Sequence, residues 1–592
     1  MIRELSDFGK KIRQQNKEGK LIHDALKDEP VSIELVIKQD GSFHDFIPFE
    51  KKMTVAEAIT AKKGKARLLL DKAEEVLGYG GSVSNKKHQW FTEKLEQYRD
   101  LKELKPVMSF YGSNKAGGLD KALAGFEKSI PNEKERKGNI AFRIHGKDKR
   151  IHEEQAVYQK IIENYENAQR KILSASAKLC SLCGKNDYPV ADIPHGMIKR
   201  VPDGQSSGCA LVSYNEDAFE SYDLKGNDNS SICTNCAKTY VEGLNWILSN
   251  GNQVKIIDKK GKEKEIFRYT NRKNFGSDTA MIFWTRENHH LVEIDQLEAP
   301  DSQSVARLID SVTSGSEKET RYIETDAFYS CTLSGAAARI AVRDWIQTSL
   351  YDFRRAIARW FQDIAIEDYN RDLKRSQTYY CRLYDLANGC QNRAENNDVA
   401  LSRTAFHLWG AALKNTAPPM WILTAVLKRA RLEEYGVTRE RAALIKLILN
   451  RHNKGGGFMV SEKLAQDNKP MAYICGQVFA VLESIQRAAL GKTNAGIRER
   501  YFTFAMTTPS PAFGRLFSLS SKHFTKLKGE KPGLAVVLDK ELQALCKDIK
   551  IEQFPSIFSL EQQGQFAIGY YHQRQAQFNR AELKETVEEE AR

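Results

Sequence analysis

Residues 336–364, AAARIAVRDWIQTSLYDFRRAIARWFQDI, open the half of the chain on which the fold class turns. Their apolar residues recur at helical spacing, so the whole stretch reads as helix. The same period continues in 419–436, PMWILTAVLKRARLEEYG, and 438–452, TRERAALIKLILNRH, and returns in 470–491, PMAYICGQVFAVLESIQRAALG. Between the last two, GGGF (455–458) and QDNKP (466–470) supply a polar, glycine-containing break. From about Thr325 onward the sequence therefore predicts a helical bundle.

Upstream the pattern is mixed. VSIELVI (31–37), Asp40-Gly41 and FHDFIPF (43–49) predict a β-hairpin, because Asp-Gly supplies the positive φ of a tight turn. LLLDKAEEVLG (68–78) and HQWFTEKLEQYRDLKEL (88–104) carry helical periodicity, GNIAFRIHG (138–146) reads as a strand, and a charged helix follows from about His152 to Lys178. From Leu179 to Asp278 the chain is irregular and polar, with a hairpin at VKIIDKKGKEKEIFRYT (254–270), and TAMIFWTRE (279–287) is a buried strand. The predicted class is α+β: a mixed α/β N-terminal region (1–178), a Cys-pair and β-rich segment (179–325) with a zinc-stapled irregular insertion, an all-α helical bundle (326–470) and a C-terminal helical block (471–592).

Composition narrows the function. At 592 residues, with 41% hydrophobic and 28% charged side chains, the chain is an ordinary globular protein of several domains. No apolar run reaches membrane-spanning length, and MIRELSDFGKKIRQQ at the start is too charged for a secretory signal, which predicts a cytoplasmic protein without a membrane partner. Ninety Lys and Arg against 77 Asp and Glu leave +13, which favours a polyanionic partner.

The strongest local chemistry is Cys180-Ser-Leu-Cys183 and, far downstream, Cys233-Thr-Asn-Cys236. Each pair can present two thiolates to one ion, and together they make the four-cysteine shell of structural zinc, a reading favoured over packed thiols or a redox pair. His195, between the pairs, is a substitute ligand by type. Catalytic patterns are missing: Gly491-Lys492-Thr493 lacks the upstream glycine of a phosphate loop, and His44-Asp45 has no evident partner ligands. The chain is read as a non-enzyme.

Basic groups recur in separate elements: 134–150, the hairpin tip with Lys259, Lys260 and Lys262, and the helices carrying Arg339, Arg343, Arg439 and Lys446. Any one is a solvated face by default; their recurrence points to nucleic acid. Arg439 and Lys446, seven apart, share a helix face and are placed along a groove. Between the Cys pairs, Lys199 and Arg200 suit phosphates, while Pro202-Asp203-Gly204 projects Gln205, Ser206 and Ser207, and Asn215 adds an amide, which suits base-edge readout.

Taken together, LLLDKAEEVLG, NIAFRIHG, QSSGCALVSYNEDAFESY, MIFWTRE, TLSGAAARIAVRDW, VTRERAALIKLILNR and the segments from PMAYICGQVFAVLESIQRAALG to LEQQGQFAIGYYHQRQAQF resemble the large subunit of the type I-C CRISPR surveillance complex, Cascade. The resemblance implies a subunit that reads a protospacer-adjacent motif (PAM) in duplex DNA, promotes unwinding and R-loop formation, steadies the displaced strand and recruits a helicase-nuclease, in antiviral defence. It implies guide crRNA, target double-stranded DNA, and the backbone, handle-capping and small subunits as partners. On it, Gln205, Ser206, Ser207 and Asn215 are assigned to PAM reading or strand wedging and Lys72, Lys199 and Arg200 to phosphates. The block from Met471 resembles the Cascade small subunit, with Met471 as an internal start. The alternatives are a metal-dependent nuclease using His44 and Asp45 or zinc-bound water at an open site, and a stand-alone RNA-binding scaffold.

Overall fold

The computed structural model describes residues 1–15, 25–56, 66–112, 118–175, 178–214, 216–257, 261–314, 326–392, 398–434, 436–453, 455–491, 495–549 and 554–590. The predicted hairpin forms: β1 (Leu26–Ile37) pairs antiparallel with β2 (Phe43–Ala56), and Gly41 turns the chain at φ +88°. β3 (Leu70–Lys72) and β4 (Asn139–Ile144) complete a four-stranded sheet in the order β2-β1-β4-β3, with β1 and β4 parallel. Helices pack on it around Ile33, Leu35, Phe91, Phe126 and Phe142, all buried. LLLDKAEEVLG is mostly not helix. Leu70 opens β3, Leu68 and Leu69 lead into it, and only the turn Ala73–Val76 is helical before Gly78 adopts φ +67°.

A second sheet carries the loop 199–208. Its order is β5-β6-β12-β11-β10-β9, from β5 (Met197–Ile198), β6 (Cys209–Ala210), β9 (Arg272–Phe275), β10 (Thr279–Thr285), β11 (Ala327–Ala336) and β12 (Arg339–Ser349). β7 (Gly251–Ile257) and β8 (Glu263–Tyr269) form a separate, largely exposed ribbon. The N-terminal helix, Ile2–Gln15, lies on this second unit rather than on the first sheet. It meets the helix Thr234–Ser249 with backbones in contact: a Cβ on Gly9 would sit 2.0 Å from the Thr239 carbonyl oxygen.

The opening segment of the predicted bundle is therefore a correction. Residues 339–349 are strand, and helix begins only at Leu350, where Ser349 caps the backbone N–H of Asp352. The alanines favour helix, but β-branched residues alternate in two short runs, Ile340 and Val342 before a bulge at Arg343 and Ile346 and Thr348 after Asp344, and such residues at period two fit a pleated sheet. The C-terminal half is not all-α for a second reason: β13 (Ile366–Asn370) and β14 (Arg375–Tyr379) make a hairpin within it. The helices Leu350–Ile364, Met420–Leu432, Arg439–His452, Met471–Leu490 and Leu560–Glu590 share one hydrophobic core, which also takes in Phe275 and Phe328 of the second sheet. Among the described residues, no helix is long and apolar enough to cross a membrane.

Candidate metal centre and nucleic-acid loop

The two Cys pairs converge. The sulfurs of Cys180, Cys183, Cys233 and Cys236 all lie within 4.8 Å of one another, with Cys183 and Cys233 4.0 Å apart. In a tetrahedral zinc-thiolate site, bonds of about 2.3 Å place sulfurs about 3.8 Å apart, so only a small contraction separates this geometry from a closed shell. Local backbone chemistry builds each half. The Cys180 N–H donates to the Lys185 carbonyl (2.8 Å), the Gly184 N–H to the Cys180 carbonyl (2.9 Å), and Gly184 turns at φ +69°, which curls Cys183 back beside Cys180. Cys233 caps the helix Thr234–Ser249, and Cys236 lies in its first turn, where the helix dipole favours thiolate. The Cys233 thiol holds Cys236 down to about 5, with the Ser6 hydroxyl and the Lys10 charge of the N-terminal helix adding to the effect. Ser6 also bonds Thr239 across the same contact (2.8 Å). His195 is not in the cluster; its Nδ1 meets the Tyr240 hydroxyl at 3.1 Å. Among the described residues, no other group of three His, Cys, Asp or Glu side chains gathers closely enough to hold an ion. His44 and Asp45 are exposed on β2, with the His44 ring 4.0 Å from that of His145.

Residues 199–208 connect β5 to β6 and are gripped from three sides. The turn between β11 and β12 closes on them: the Gly335 N–H donates to the Pro202 carbonyl (2.8 Å), and Gly204 bridges to Ala337. The Asn245 side chain, on the helix that Cys233 caps, accepts from the Lys199 N–H (2.8 Å) and donates to the Met197 carbonyl (3.1 Å). Arg272 of β9 donates to the Arg200 carbonyl (2.7 Å). Arg200 and Asp203 are held at φ +61° and +57°, conformations that persist only where the surroundings fix them. Gln205, Ser206 and Ser207 are exposed at the tip, whose turn the Gly208 N–H closes onto the Gln205 carbonyl (2.9 Å). The result is a rigid backbone presenting free amide and hydroxyl groups, flanked by the exposed side chains of Lys199 and Arg200.

The family of CRISPR-associated protein (Cas_Csd1) matches residues 5–578. The chain belongs to this family. No curated protein matches it.

In this Cas_Csd1 chain the residues singled out from sequence divide. Lys199, Arg200, Gln205, Ser206, Ser207 and Arg339 come together at one end of the second sheet, where Arg339 pairs with Ala210, meets Glu216 at 3.2 Å and lies 5.4 Å over the Phe219 ring. Arg343 is further along β12, on a bulge opposite Thr332 and Leu333, and donates to Ser334 Oγ (2.9 Å). Lys72 is exposed but ends β3 in the other sheet, and Lys262 is exposed beside the β7–β8 ribbon tip. Asn215, Lys259 and Lys260 lie outside the described residues, as do Lys492 and Thr493. Lys446 corrects the expected groove. It is 3% exposed, and its ammonium donates to the Gln362 and Asp363 carbonyls (2.9 and 3.0 Å), capping the helix Leu350–Ile364. Burial lowers its pKa to about 8. Arg439 shares no open face with it: its guanidinium sits 4.4 Å over the Tyr379 ring and pairs with Asp368 and Glu440. Arg143 and Arg150, from the 134–150 cluster, converge instead on the buried Glu34.

Sequence reasoning missed Asn245, Gly335 and the N-terminal helix residues Ser6 and Lys10. Each acts through a contact hundreds of residues or several elements away, and no local pattern marks it.

Proposed function

We propose that the chain is the non-catalytic large subunit of a type I-C Cascade effector. It recognises the PAM in duplex DNA through the 199–208 loop, promotes unwinding and R-loop formation, and recruits a helicase-nuclease. The observation that carries this reading, within the CRISPR-associated family, is the braced and exposed loop. Sequence readout needs donors and acceptors held in fixed register against base edges, and Gln205, Ser206 and Ser207 present such groups on a backbone tied at Pro202, Lys199 and Arg200. Lys199, Arg200 and Arg339 beside them supply the phosphate contacts that set orientation. Sequence choice along the target is delegated to the guide crRNA, as in guided effectors generally.

The four cysteines bind structural zinc. Their donor set is all thiolate, closed and largely buried, which leaves no open position for substrate and assigns the ion to folding. Backbone, handle-capping and small subunits complete the assembly, with Met471 as the start of a separately made small-subunit-like product.

The test is co-purification with guide RNA and sister subunits, followed by binding to duplexes with a randomised flanking motif at stated salt. Gln205→Ala broadens the motif preference while assembly persists; an unchanged preference removes the loop from the reading site. Purified chain with divalent metal leaves DNA intact, and cleavage would replace this reading with a nuclease.

A further inference from the structure

Among the ten cysteines only Cys183 and Cys546 are partly exposed. Burial raises the Cys546 thiol and pushes those of Cys331, Cys381, Cys390 and Cys475 up to about 12, so these stay protonated and unreactive. Cys183 is placed differently. It stands in the turn that the Gly184 N–H closes onto the Cys180 carbonyl, and it is the accessible member of the four-sulfur cluster, whose other members Cys180, Cys233 and Cys236 are 2% exposed or less. Its sulfur meets that of Cys233 at 4.0 Å. The Cys180 sulfur is already engaged, accepting from the Cys233 N–H (3.3 Å), and Cys236 sits inside the first turn of the helix Thr234–Ser249. Lys10 lies near enough for its ammonium to interact with charge on Cys183 and Cys236.

A sulfur that ligates a metal is a thiolate, and the thiolate is the form that attacks a peroxide. Attack of the Cys183 sulfur on hydrogen peroxide breaks the O–O bond, leaves a sulfenic acid on Cys183 and releases hydroxide. The Cys233 thiolate then displaces a second hydroxide from that sulfur and forms the S–S bond. The two sulfurs give up two electrons, the peroxide takes both, and two protons from solvent turn the hydroxides into water. Closing 4.0 Å to a bond of about 2.05 Å asks for about 2 Å of movement, which falls to the exposed turn of Cys183 because Cys233 is fixed at the head of a helix.

We propose that the four-cysteine centre is a site of modification by hydroperoxides, in which Cys183 is attacked, Cys233 resolves it as an intrachain disulfide, and the zinc is lost with two of its four donors. The proposal rests on reading the four cysteines as a zinc site. It has a structural consequence beyond the centre. The Cys233 sulfur caps the helix Thr234–Ser249 by accepting from the Cys236 N–H (3.5 Å), and that helix carries Asn245, whose side chain holds the Lys199 N–H. Oxidation therefore removes the cap and loosens the element that braces one flank of the 199–208 loop.

The experiment treats the assembled, zinc-loaded complex with hydrogen peroxide and follows zinc release with a chromogenic chelator, the new bond by peptide mass spectrometry after alkylation without reduction, and the helix by hydrogen exchange. The parent loses its zinc, acquires a Cys183–Cys233 link and exchanges faster in residues 234–249; dithiothreitol with added zinc reverses all three. Cys183→His keeps a zinc ligand but removes the nucleophile, so it holds its metal under the same treatment, whereas Cys546→Ser behaves as the parent does. Release from Cys183→His as fast as from the parent overturns the proposal, as does a link mapped to Cys180–Cys183 or exchange in 234–249 that oxidation leaves unchanged. A complex purified without zinc overturns the metal reading and this proposal with it. Zinc that is bound but stays in place under peroxide overturns this proposal alone.

Discussion

Gly335→Ala tests whether the β11–β12 turn positions the 199–208 loop, the proposed reading site. A Cβ at this position would meet Gly204 N at 2.4 Å, Asp203 C at 2.5 Å and Asp203 O at 2.6 Å, all backbone atoms that no rotamer change can remove. Ordinary contact begins near 3.4 Å, so the turn and the loop must separate by about 1 Å. That separation stretches the bond from the Gly335 N–H to the Pro202 carbonyl, 2.8 Å at rest, beyond hydrogen-bonding range. Overpacking of this kind costs about 1–3 kcal/mol, and the lost bond adds about 1 kcal/mol. Because the loop is exposed and the turn ends two paired strands, the loop yields. We expect motif-duplex affinity of the assembled complex to fall about 30- to 1,000-fold, with a melting temperature within a few degrees of the parent. The control is Gly410→Ala, inside the helix Asp398–Lys414 with open space at the Cβ, which gains about 1 kcal/mol and binds normally. Parental affinity in Gly335→Ala would refute the argument that the turn holds the loop. Loss of assembly together with binding would show that the turn supports the fold instead.

Three other changes probe the scaffold. His152 is buried with neither ring nitrogen bonded, and burial lowers its pKa to about 4. The neutral form is thus favoured in the folded state, stability is intact above pH 6.5 and falls by up to about 1.4 kcal/mol per pH unit from there to about 4, and His152→Leu makes melting temperature less sensitive to pH over that window. Glu34→Gln leaves Arg143 and Arg150 around a buried neutral amide and costs about 3–5 kcal/mol, read by chemical denaturation. Gly476→Ala drives a methyl to 2.0 Å from the Phe566 carbonyl oxygen and forces the helices Met471–Leu490 and Leu560–Glu590 apart, so the shared core melts earlier by thermal scan.

The legible parts of the fold were those set by short-range chemistry. Asp40-Gly41 announced its hairpin because few other pairs reach positive φ there, and the paired Cys-x-x-Cys spacings announced a four-sulfur cluster because two residues is the gap that lets one knuckle present two thiols. β12 was hidden because Ala336–Ala338 run into it and Arg339 and Arg343 stand at helical spacing, while the bulge that splits its alternation is visible only once its pairing with β11 is known. Lys446 was misplaced for a related reason. A lysine on an apolar helix is ordinarily drawn to solvent, yet here the carbonyl end of another helix satisfies its ammonium in the core. Of the candidate site, residue types were readable in Gln205, Ser206 and Ser207, but the rigidity that makes them useful comes from Gly335, Asn245 and Arg272, which sequence alone does not bring near.

The loop's supports are unequal, and with the four cysteines as the proposed zinc site this predicts how the loop responds to metal removal. The turn at Gly335–Ala338 and the Arg272 side chain belong to the second sheet, one face of which packs on the bundle through Phe275, Phe283 and Phe328, away from the cysteines. Asn245 sits on the helix that Cys233 caps, twelve residues or about 18 Å from the centre along a rigid axis. The same helix is clasped by the N-terminal helix through Gly9, Gly243 and the Ser6–Thr239 bond, so release of its N-terminus frees both elements together. Chelation, or Cys236→Ser, therefore loosens Lys199 before Gln205. In the assembled complex the salt dependence of duplex binding becomes shallower, as phosphate contacts are lost, while preference among motifs survives. Hydrogen exchange should rise first in residues 1–15 and 234–249. Simultaneous loss of motif preference and salt dependence would mean that the centre holds the whole loop and that the sheet contributes nothing of its own.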